Sequence, residues 1–195
     1  NAMFTVAFPL MPGYENRLVL MNKALAAGLA DALSEMGLGS IEIKWPNDLI
    51  LNHMKVGGLL MEIITVGSNK YLFLGVGVNV NQMQFDDQPL ATSLRLNLEK
   101  SRTSREVEIL NIREIIVAMV NGLWNAWDQL DAFGAKYSDW LYRKEQMITL
   151  IACDSNEMID CKLIGINEKG QICVELSSGE MAEFHHGEVK MTYGF

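Results

Sequence analysis

Three strand-like segments follow one another between residues 41 and 81, and only short turns separate them. The segments are residues 41–51, 54–66 and 71–81, with Asn52 and His53 in the first turn and residues 67–70 in the second. Parallel neighbours need a crossover of about a dozen residues or more, so turns this short require antiparallel pairing. The sequence therefore predicts a β-meander of three adjacent strands, around which the rest of the chain must pack.

Glycines lie in the interior of this predicted meander, at Gly57, Gly58, Gly75 and Gly77. Each costs about 0.5–1 kcal/mol relative to alanine, and close approach of a ligand is one reason to keep it. A floor without side chains suits a nucleotide better than a metal. The pattern is neither a Rossmann nor a P-loop fingerprint, because no glycine loop opens a helix.

The expected pairing of the three strands places polar side chains next to these glycines. With Asn52 and His53 as the first tight turn, Asn47 lies opposite Gly58. With the second turn centred on residues 68 and 69, Gly58 lies opposite Asn79. The same register pairs Leu60 with Gly77 and Glu62 with Gly75. Alternation of side chains along a strand then puts Gly58, Gly75, Gly77 and both asparagines on one face. Lys55 is out of phase with Gly58, and a bulge at residues 57–58 would bring it onto that face.

Pro46 lies inside the first of these strands. Proline cannot donate to a sheet ladder, so this strand must be an edge or be interrupted there. Asn47 and Asp48 are then held at the interruption with their polar groups available. A strand that ends in an Asx turn is the alternative explanation of the same residues.

The remaining periodicity up to residue 145 predicts one strand, three helices and one loop. We expect a strand at residues 4–10, helices at 16–36 and 133–142, and a loop with a short ordered piece at 82–104. A long helix is predicted to begin near Ser104, as its N-cap, and to reach Leu130. Asn1 and Ala2 precede Met3 and are left out as a tag remnant.

The pattern changes from residue 146 onward, where short strand-like runs alternate with turn residues. The runs are residues 147–153, 158–166, 171–176, 181–184 and 188–191. Strands this short and closely spaced predict a small β-barrel. We therefore predict two domains, residues 3–145 and 146–195.

Composition excludes several classes of protein. The chain has 16 basic and 24 acidic residues, a net charge of −8 and no basic run, which argues against nucleic acid as a partner. Its longest apolar region, residues 18–36, is interrupted by charges, so we expect a soluble, cytoplasmic protein without a membrane segment. Cys153, Cys161 and Cys173 lack the spacing of a zinc or redox motif.

Three segments resemble, in order and spacing, the consecutive signatures of biotin protein ligases. They are residues 44–48 (Lys-Trp-Pro-Asn-Asp), 55–62 (Lys-Val-Gly-Gly-Leu-Leu-Met-Glu) and 75–79 (Gly-Val-Gly-Val-Asn). Residues 92–94 resemble the short motif of the adenylate-covering region. Residues 165–167 (Gly-Ile-Asn) with Gly170, and residues 187–189 (Gly-Glu-Val), resemble the C-terminal barrel. The resemblance implies an α+β fold, with a class II synthetase-like mixed sheet and helices followed by a small SH3-like barrel.

The resemblance also implies a reaction. Biotin is activated with ATP to biotinyl-5′-AMP and then transferred to a lysine on the biotin carboxyl carrier domain of a biotin-dependent carboxylase. Attack on the α-phosphate builds negative charge that a positioned cation stabilises, and Lys55 is the residue we assign to it. By resemblance, Asn47 and Asn79 contact the adenylate, and Asp48 binds Mg²⁺ or orients the incoming lysine.

The glycines Gly58, Gly75 and Gly77 are expected, by the same resemblance, to line the ligand floor. Lys44, Trp45 and Glu62 are secondary site candidates, and Lys44 and Glu62 fit structural ion pairs equally well.

The sequence departs from the family ahead of the strand at residues 4–10. The family's Arg/Gly-rich biotin-binding loop has no counterpart here, since Gly13 and Arg17 are the only such residues before residue 28. We therefore expect a fragment or truncated ligase that has impaired activity, binds biotin weakly and self-associates through an uncovered edge. The alternatives are a non-catalytic ligase-like module that binds a carrier domain or partner chain, and a lipoate-protein ligase relative, against which residues 44–48 argue.

Overall fold

The computed structural model describes residues 1–86, 88, 90–101 and 108–193. In this part of the chain, two antiparallel sheets and four α-helices surround a continuous apolar core. The elements of the first sheet and the helices are β1 Ala2–Leu10, α1 Leu18–Glu35, β2 Ile41–Lys44, β3 Asp48–Leu51, β4 Met54–Val66, β5 Asn69–Val78, α2 Leu94–Ser101, α3 Ile112–Asp128 and α4 Leu130–Trp140. The second sheet contains β6 Met147–Ala152, β7 Met158–Ile166, β8 Ile172–Leu176, β9 Met181–Phe184 and β10 Val189–Met191.

The first sheet has the strand order β1-β5-β4-β3-β2, and the second has the order β10-β6-β7-β8-β9. The predicted α+β class with a small C-terminal β unit is confirmed. The described strands of the first sheet pair antiparallel throughout, rather than as the mixed sheet that the resemblance implies. A domain boundary near residue 145 stays a prediction. In the described ranges, no helix is long and apolar enough to cross a membrane.

The segment predicted as one strand at residues 41–51 is a hairpin of β2 and β3. Lys44 pairs with Asp48, and residues 45–47 form the connection between the two strands. The interruption expected at Pro46 is therefore present, but the prediction of a single strand was wrong. The reversal places Lys44 and Asp48 side by side at one end of the sheet, which matters for the site described below.

A β-bulge corrects the first predicted register. Asn52 and His53 form the turn as expected, with φ of 49° and 63°. Ile50 pairs with Lys55 and Leu49 with Gly57, which leaves Val56 without a partner residue on β3. The extra residue makes Asp48, not Asn47, the neighbour of Gly58. The predicted bulge thus exists, but it lies one residue earlier than expected.

The second predicted register was wrong by two residues. Val66 pairs with Asn69, so the turn consists of residues 67 and 68, and Gly67 has the positive φ, 63°, that glycine adopts without strain. Gly58 consequently pairs with Gly77, Leu60 with Gly75 and Glu62 with Phe73. A shift of two residues preserves the face of every side chain, so Gly58, Gly75 and Gly77 remain on the same face.

The helix α3 begins later than the sequence suggests. Asn111 caps it, accepting a hydrogen bond from the backbone of Arg113 at 3.1 Å and donating one to Glu114 at 2.7 Å. The predicted cap Ser104 lies outside the described residues, whereas residues 108–110 are described and are not helical. An asparagine cap with a glutamate three residues later is a stronger start signal than a lone serine.

Helices α1 and α3 cover the inner face of the first sheet and touch each other at two glycines. A Cβ on Gly28 would lie 2.6 Å from the carbonyl oxygen of Gly122, and one on Gly122 would lie 2.5 Å from that of Gly28. Both obstacles are backbone atoms, which cannot rotate away. The two helices therefore approach as closely as they do because neither residue has a side chain.

Substitution at this crossing is expected to weaken the fold. Gly28→Val should lower the free energy of unfolding by about 2–3 kcal/mol, because overpacking must push the two helix backbones apart. The matched control is Ala132→Val on the exposed face of α4, which should change stability by less than about 0.7 kcal/mol. Urea denaturation measures both values, and equal losses in the two variants would contradict the close-packing explanation.

Candidate functional site

A groove of about 800 Å³ opens on the outer face of the first sheet. Its floor contains Gly58, Gly75 and Gly77, and Met3 and Leu60 stand at its sides with exposed side chains. The predicted site residues Asn47, Asp48, Lys55 and Asn79 also line it. The structure therefore brings together the glycine floor, two amides, a carboxylate and a lysine, as the sequence predicts.

The glycines differ in what the fold itself demands of them. A Cβ on Gly57 would collide with the carbonyl oxygen of Gly77 and lie 3.1 Å from the Val78 Cα, so the chain needs glycine there. A Cβ on Gly58 would lie 3.2 Å from the Asn47 carbonyl oxygen, which is also tight. A Cβ on Gly75 meets ordinary contact at 3.7 Å, and one on Gly77 meets nothing within 4 Å. Packing within the described chain thus gives no reason for glycine at position 77.

Asp48 is the centre of charge in the groove. Its Oδ1 lies 2.5 Å from the Nζ of Lys55, and its Oδ2 lies 3.9 Å from the Nζ of Lys44. The side chain of Lys55 is 44% exposed, whereas those of Asp48 and Lys44 are 17% and 8% exposed. One carboxylate is shared by two ammonium groups, so this wall of the groove has a net positive charge.

Tyr193 contributes to this cluster from beyond the second sheet. Its hydroxyl donates a hydrogen bond to Oδ2 of Asp48 at 2.8 Å, and the ammonium of Lys44 lies 4.3 Å from its ring centroid. Burial, together with this hydrogen bond and the charge of Asp48, raises the pKa of the Tyr193 phenol well above its usual value. Desolvation lowers the pKa of Lys44, and the charge of Asp48 opposes that effect.

The two asparagines use their amide groups to hold the walls of the groove. Asn47 donates to the carbonyl of Leu59 at 2.6 Å, and Asn79 donates to the carbonyl of Thr92 at 3.1 Å. The backbone of Thr92 in turn donates to the carbonyl of Lys55 at 2.8 Å. The side chain of Asn79 therefore holds Thr92, whose own backbone is bonded to the bulged strand that carries Lys55.

All three secondary candidates lie outside the groove lining. Trp45 is buried, and its indole donates to the carbonyl of Gly170 at 3.0 Å, so it joins the first sheet to the second unit. Glu62 is exposed on the floor side of β4, opposite Phe73 and beyond the lining residues. Lys44 acts through its contacts with Asp48 and Tyr193 rather than by lining the groove.

The surroundings of Asp48 do not fit a magnesium site built by the protein. Its carboxylate already faces two lysines and a phenol, whereas Mg²⁺ prefers several oxygen ligands of its own. Within the part of the chain that is described, no three His, Cys, Asp or Glu side chains converge well enough to hold a metal ion. The described cysteines are free.

Comparison with known proteins agrees with these features. Residues 9–79 match the model of the Biotin/lipoate A/B protein ligase family. Biotin–protein ligase 2 of Arabidopsis thaliana is 30% identical over 138 residues, which are 66% of this chain and 40% of that protein. Chloroplastic biotin–protein ligase 1 of the same plant is 27% identical over 176 residues, 85% of this chain and 46% of that protein. The chain thus spans less than half the length of these two relatives.

Solved structures show the same fold. The apo biotin protein ligase of Aquifex aeolicus superposes with a TM-score of 0.73 at 22% identity, covering 98% of this chain and 83% of that one. The family match over residues 9–79 and the shared fold make this chain similar to the ligases of the biotin and lipoate class. Within that class, the two plant relatives that match most of this chain are biotin–protein ligases.

Proposed function

We propose that this chain catalyses, as part of a biotin protein ligase, the ATP-dependent activation of biotin and its transfer to a lysine of a biotin carboxyl carrier domain. The observation that carries the proposal is the open floor at Gly75 and Gly77 beside the half-exposed side chain of Lys55. Side chains on the floor would occupy the space that a flat adenylate needs. The Aquifex aeolicus ligase has been solved in complex with biotin and ATP, which supports the two small substrates.

In the first step, a carboxylate oxygen of biotin attacks the α-phosphorus of ATP. The bond from that phosphorus to the bridging oxygen breaks, and pyrophosphate leaves with the electron pair. Negative charge builds on the α-phosphoryl oxygens in the transition state, where a preorganised cation is most effective. The side chain of Lys55 is 44% exposed at the groove wall, so its ammonium can exchange the contact with Asp48 for one with the phosphate.

In the second step, the acceptor amine attacks the acyl carbon of biotinyl-AMP. The bond from carbon to the phosphate oxygen breaks, and AMP leaves with the electron pair. The acceptor enters as an ammonium and ends as an amide, so it releases two protons in all. Oδ1 of Asp48, once Lys55 has moved, is placed to orient the ammonium and to pass a proton to solvent.

Asn47 and Asn79 are proposed to hold the walls of the groove on either side of the adenylate. Gly58, Gly75 and Gly77 are proposed to lie beneath it. No step is assigned to Mg²⁺ at Asp48, because that carboxylate is already paired. The carrier domain as partner, a cytoplasmic location and self-association through β1 stay predictions. The same holds for weak biotin binding by these 195 residues alone.

The nucleotide site can be mapped directly. Addition of Mg-ATP to the isotope-labelled chain should shift the amide resonances of residues 47–62 and 75–79, because these residues form the floor and the lysine wall. Mg-tripolyphosphate is the control ligand, and it should shift the resonances around Lys55 but not those around Gly75 and Gly77. Shifts confined to strands β6–β10 would refute the proposed site.

The two alternative functions make different predictions. A non-catalytic module that binds a carrier domain would show no biotin-dependent pyrophosphate exchange in a longer, otherwise active form of the protein. A lipoate ligase relative would exchange pyrophosphate with lipoate rather than biotin. The exposed Lys55 in the groove favours catalysis, and the two plant relatives are named as biotin ligases.

A further inference from the structure

The two oxygens of the Asp48 carboxylate have different kinds of partner. Oδ1 meets Lys55, whose half-exposed side chain can move into the groove. Oδ2 meets the hydroxyl of Tyr193 at 2.8 Å and the buried ammonium of Lys44 at 3.9 Å. One oxygen therefore faces an exchangeable cation, and the other faces groups that the fold holds in place.

Hydrogen bonds hold the backbone of Tyr193 and of the residue before it. Its carbonyl accepts a hydrogen bond from the hydroxyl of Tyr142 at 2.9 Å, and Tyr142 is fully buried. The backbone of Tyr142 donates to the carbonyl of Ile43 at 2.9 Å, one residue before Lys44. The preceding residue, Thr192, donates to the carbonyl of Thr149 at 3.0 Å. The phenol is thus tied to both sheets.

We propose that Tyr193 is a positioning residue for Asp48. Its hydroxyl, together with Lys44, holds Oδ2 so that Oδ1 points into the groove. Oδ1 can then exchange its contact with Lys55 for a contact with the acceptor amine. The inference rests on the proposed ligase function, and it adds a residue of the C-terminal unit to the site. Reacting groups work best when their orientation is set before the reaction, because misplacement by about 1 Å costs orders of magnitude in rate.

The hydroxyl matters most when Lys55 leaves. Once the phosphate draws Lys55 away, the hydrogen bond from Tyr193 is the short contact that remains on the carboxylate, because Lys44 lies at 3.9 Å. Without the hydroxyl, the carboxylate can rotate toward Lys44 or follow Lys55. The acceptor amine would then meet Asp48 in several orientations, and the transfer step would slow while adenylate formation would not.

The test compares Tyr193→Phe with Tyr71→Phe, which removes a hydroxyl from β5 outside the groove lining. Phenylalanine at position 193 keeps a ring over Lys44 and loses only the hydrogen bond. With preformed biotinyl-AMP and a carrier domain, single-turnover transfer by Tyr193→Phe should be about tenfold slower, with an unchanged KM for the carrier. Pyrophosphate exchange should stay within about twofold of the parent. Equal slowing of both steps together with a lower Tm would instead show a merely structural role, and parental transfer would overturn the proposal.

A second measurement needs no turnover. Three-bond couplings should report one χ1 rotamer for Asp48 in the parent and in Tyr71→Phe, and averaging over rotamers in Tyr193→Phe. A single rotamer in Tyr193→Phe would overturn the positioning role. If the unsubstituted protein, in any longer form, neither forms the adenylate nor transfers biotin, the proposed ligase function is wrong. The couplings would still decide whether Tyr193 fixes the orientation of Asp48.

Discussion

In a longer, active form of the protein, Lys55→Ala is expected to reduce biotin-dependent pyrophosphate exchange by about 100- to 1000-fold, the usual effect of removing one preorganised group that stabilises a developing charge. The affinity for Mg-ATP should fall much less, because the cation acts mainly on charge that appears in the transition state. Lys55 sits on a bulged strand whose backbone is tied to residues 90–92, so the fold should persist without its side chain. Pyrophosphate exchange and calorimetry with Mg-ATP measure the two effects separately.

The matched control for this variant is Lys190→Ala, which removes an exposed lysine from β10 in the second sheet. It should leave exchange within about twofold of the parent, so a general effect of net charge can be separated from loss of the groove cation. Lys55→Arg keeps the charge but alters its geometry, and it should recover only part of the rate. Exchange at a parental rate in Lys55→Ala would remove this lysine from the mechanism.

Gly77→Val should abolish tight nucleotide binding without unfolding the protein. A Cβ at this position meets nothing within 4 Å, and valine is well suited to a strand, so the free energy of unfolding should change by less than about 1 kcal/mol. The branched side chain would stand in the groove where the ligand is proposed to lie. The Kd for Mg-ATP should therefore rise at least about tenfold, measured by calorimetry beside a urea denaturation curve.

The matched variant Gly57→Val reverses these expectations, because its Cβ would collide with the carbonyl oxygen of Gly77. We expect it to lose about 2–4 kcal/mol of stability, since strand backbone must shift to make room. The pair separates a glycine that the fold needs from a glycine that only a ligand needs. Parental Mg-ATP affinity in a folded Gly77→Val variant would show that the floor does not bind nucleotide.

The faces of the meander could be predicted from sequence because side chains along a strand repeat with a period of two. The second turn was placed one residue too late, which moves every pair by two positions. Gly58, Gly75 and Gly77 still share one face. The first turn was placed correctly, since Asn52 and His53 are both residues that tolerate positive φ.

Other parts of the site have no local sequence signal. Nothing in the pattern of strands says whether a bulge lies at Val56 or at the next residue, because both positions bring Lys55 to the floor face. Tyr193 is 145 residues from Asp48, so their contact depends on how the second sheet docks against the first. Pairs that meet only through tertiary packing cannot be inferred from periodicity or spacing in a single chain.

Side chains of the first sheet and its helices contact the second unit mostly by donating hydrogen bonds to its backbone carbonyls. Trp45 donates to Gly170, and Lys23 donates to Ile166 and Asn167. Every residue type has a backbone carbonyl oxygen, so a substitution at these acceptor positions leaves the hydrogen bonds in place. The phenol of Tyr193 is different, because only a side chain with a donor at that reach can replace it. Relatives can therefore differ widely in the sequence of the second unit. A chimera that takes the second unit from another relative would keep the contact with Asp48 only if that unit also carries a hydrogen-bond donor at the position of Tyr193.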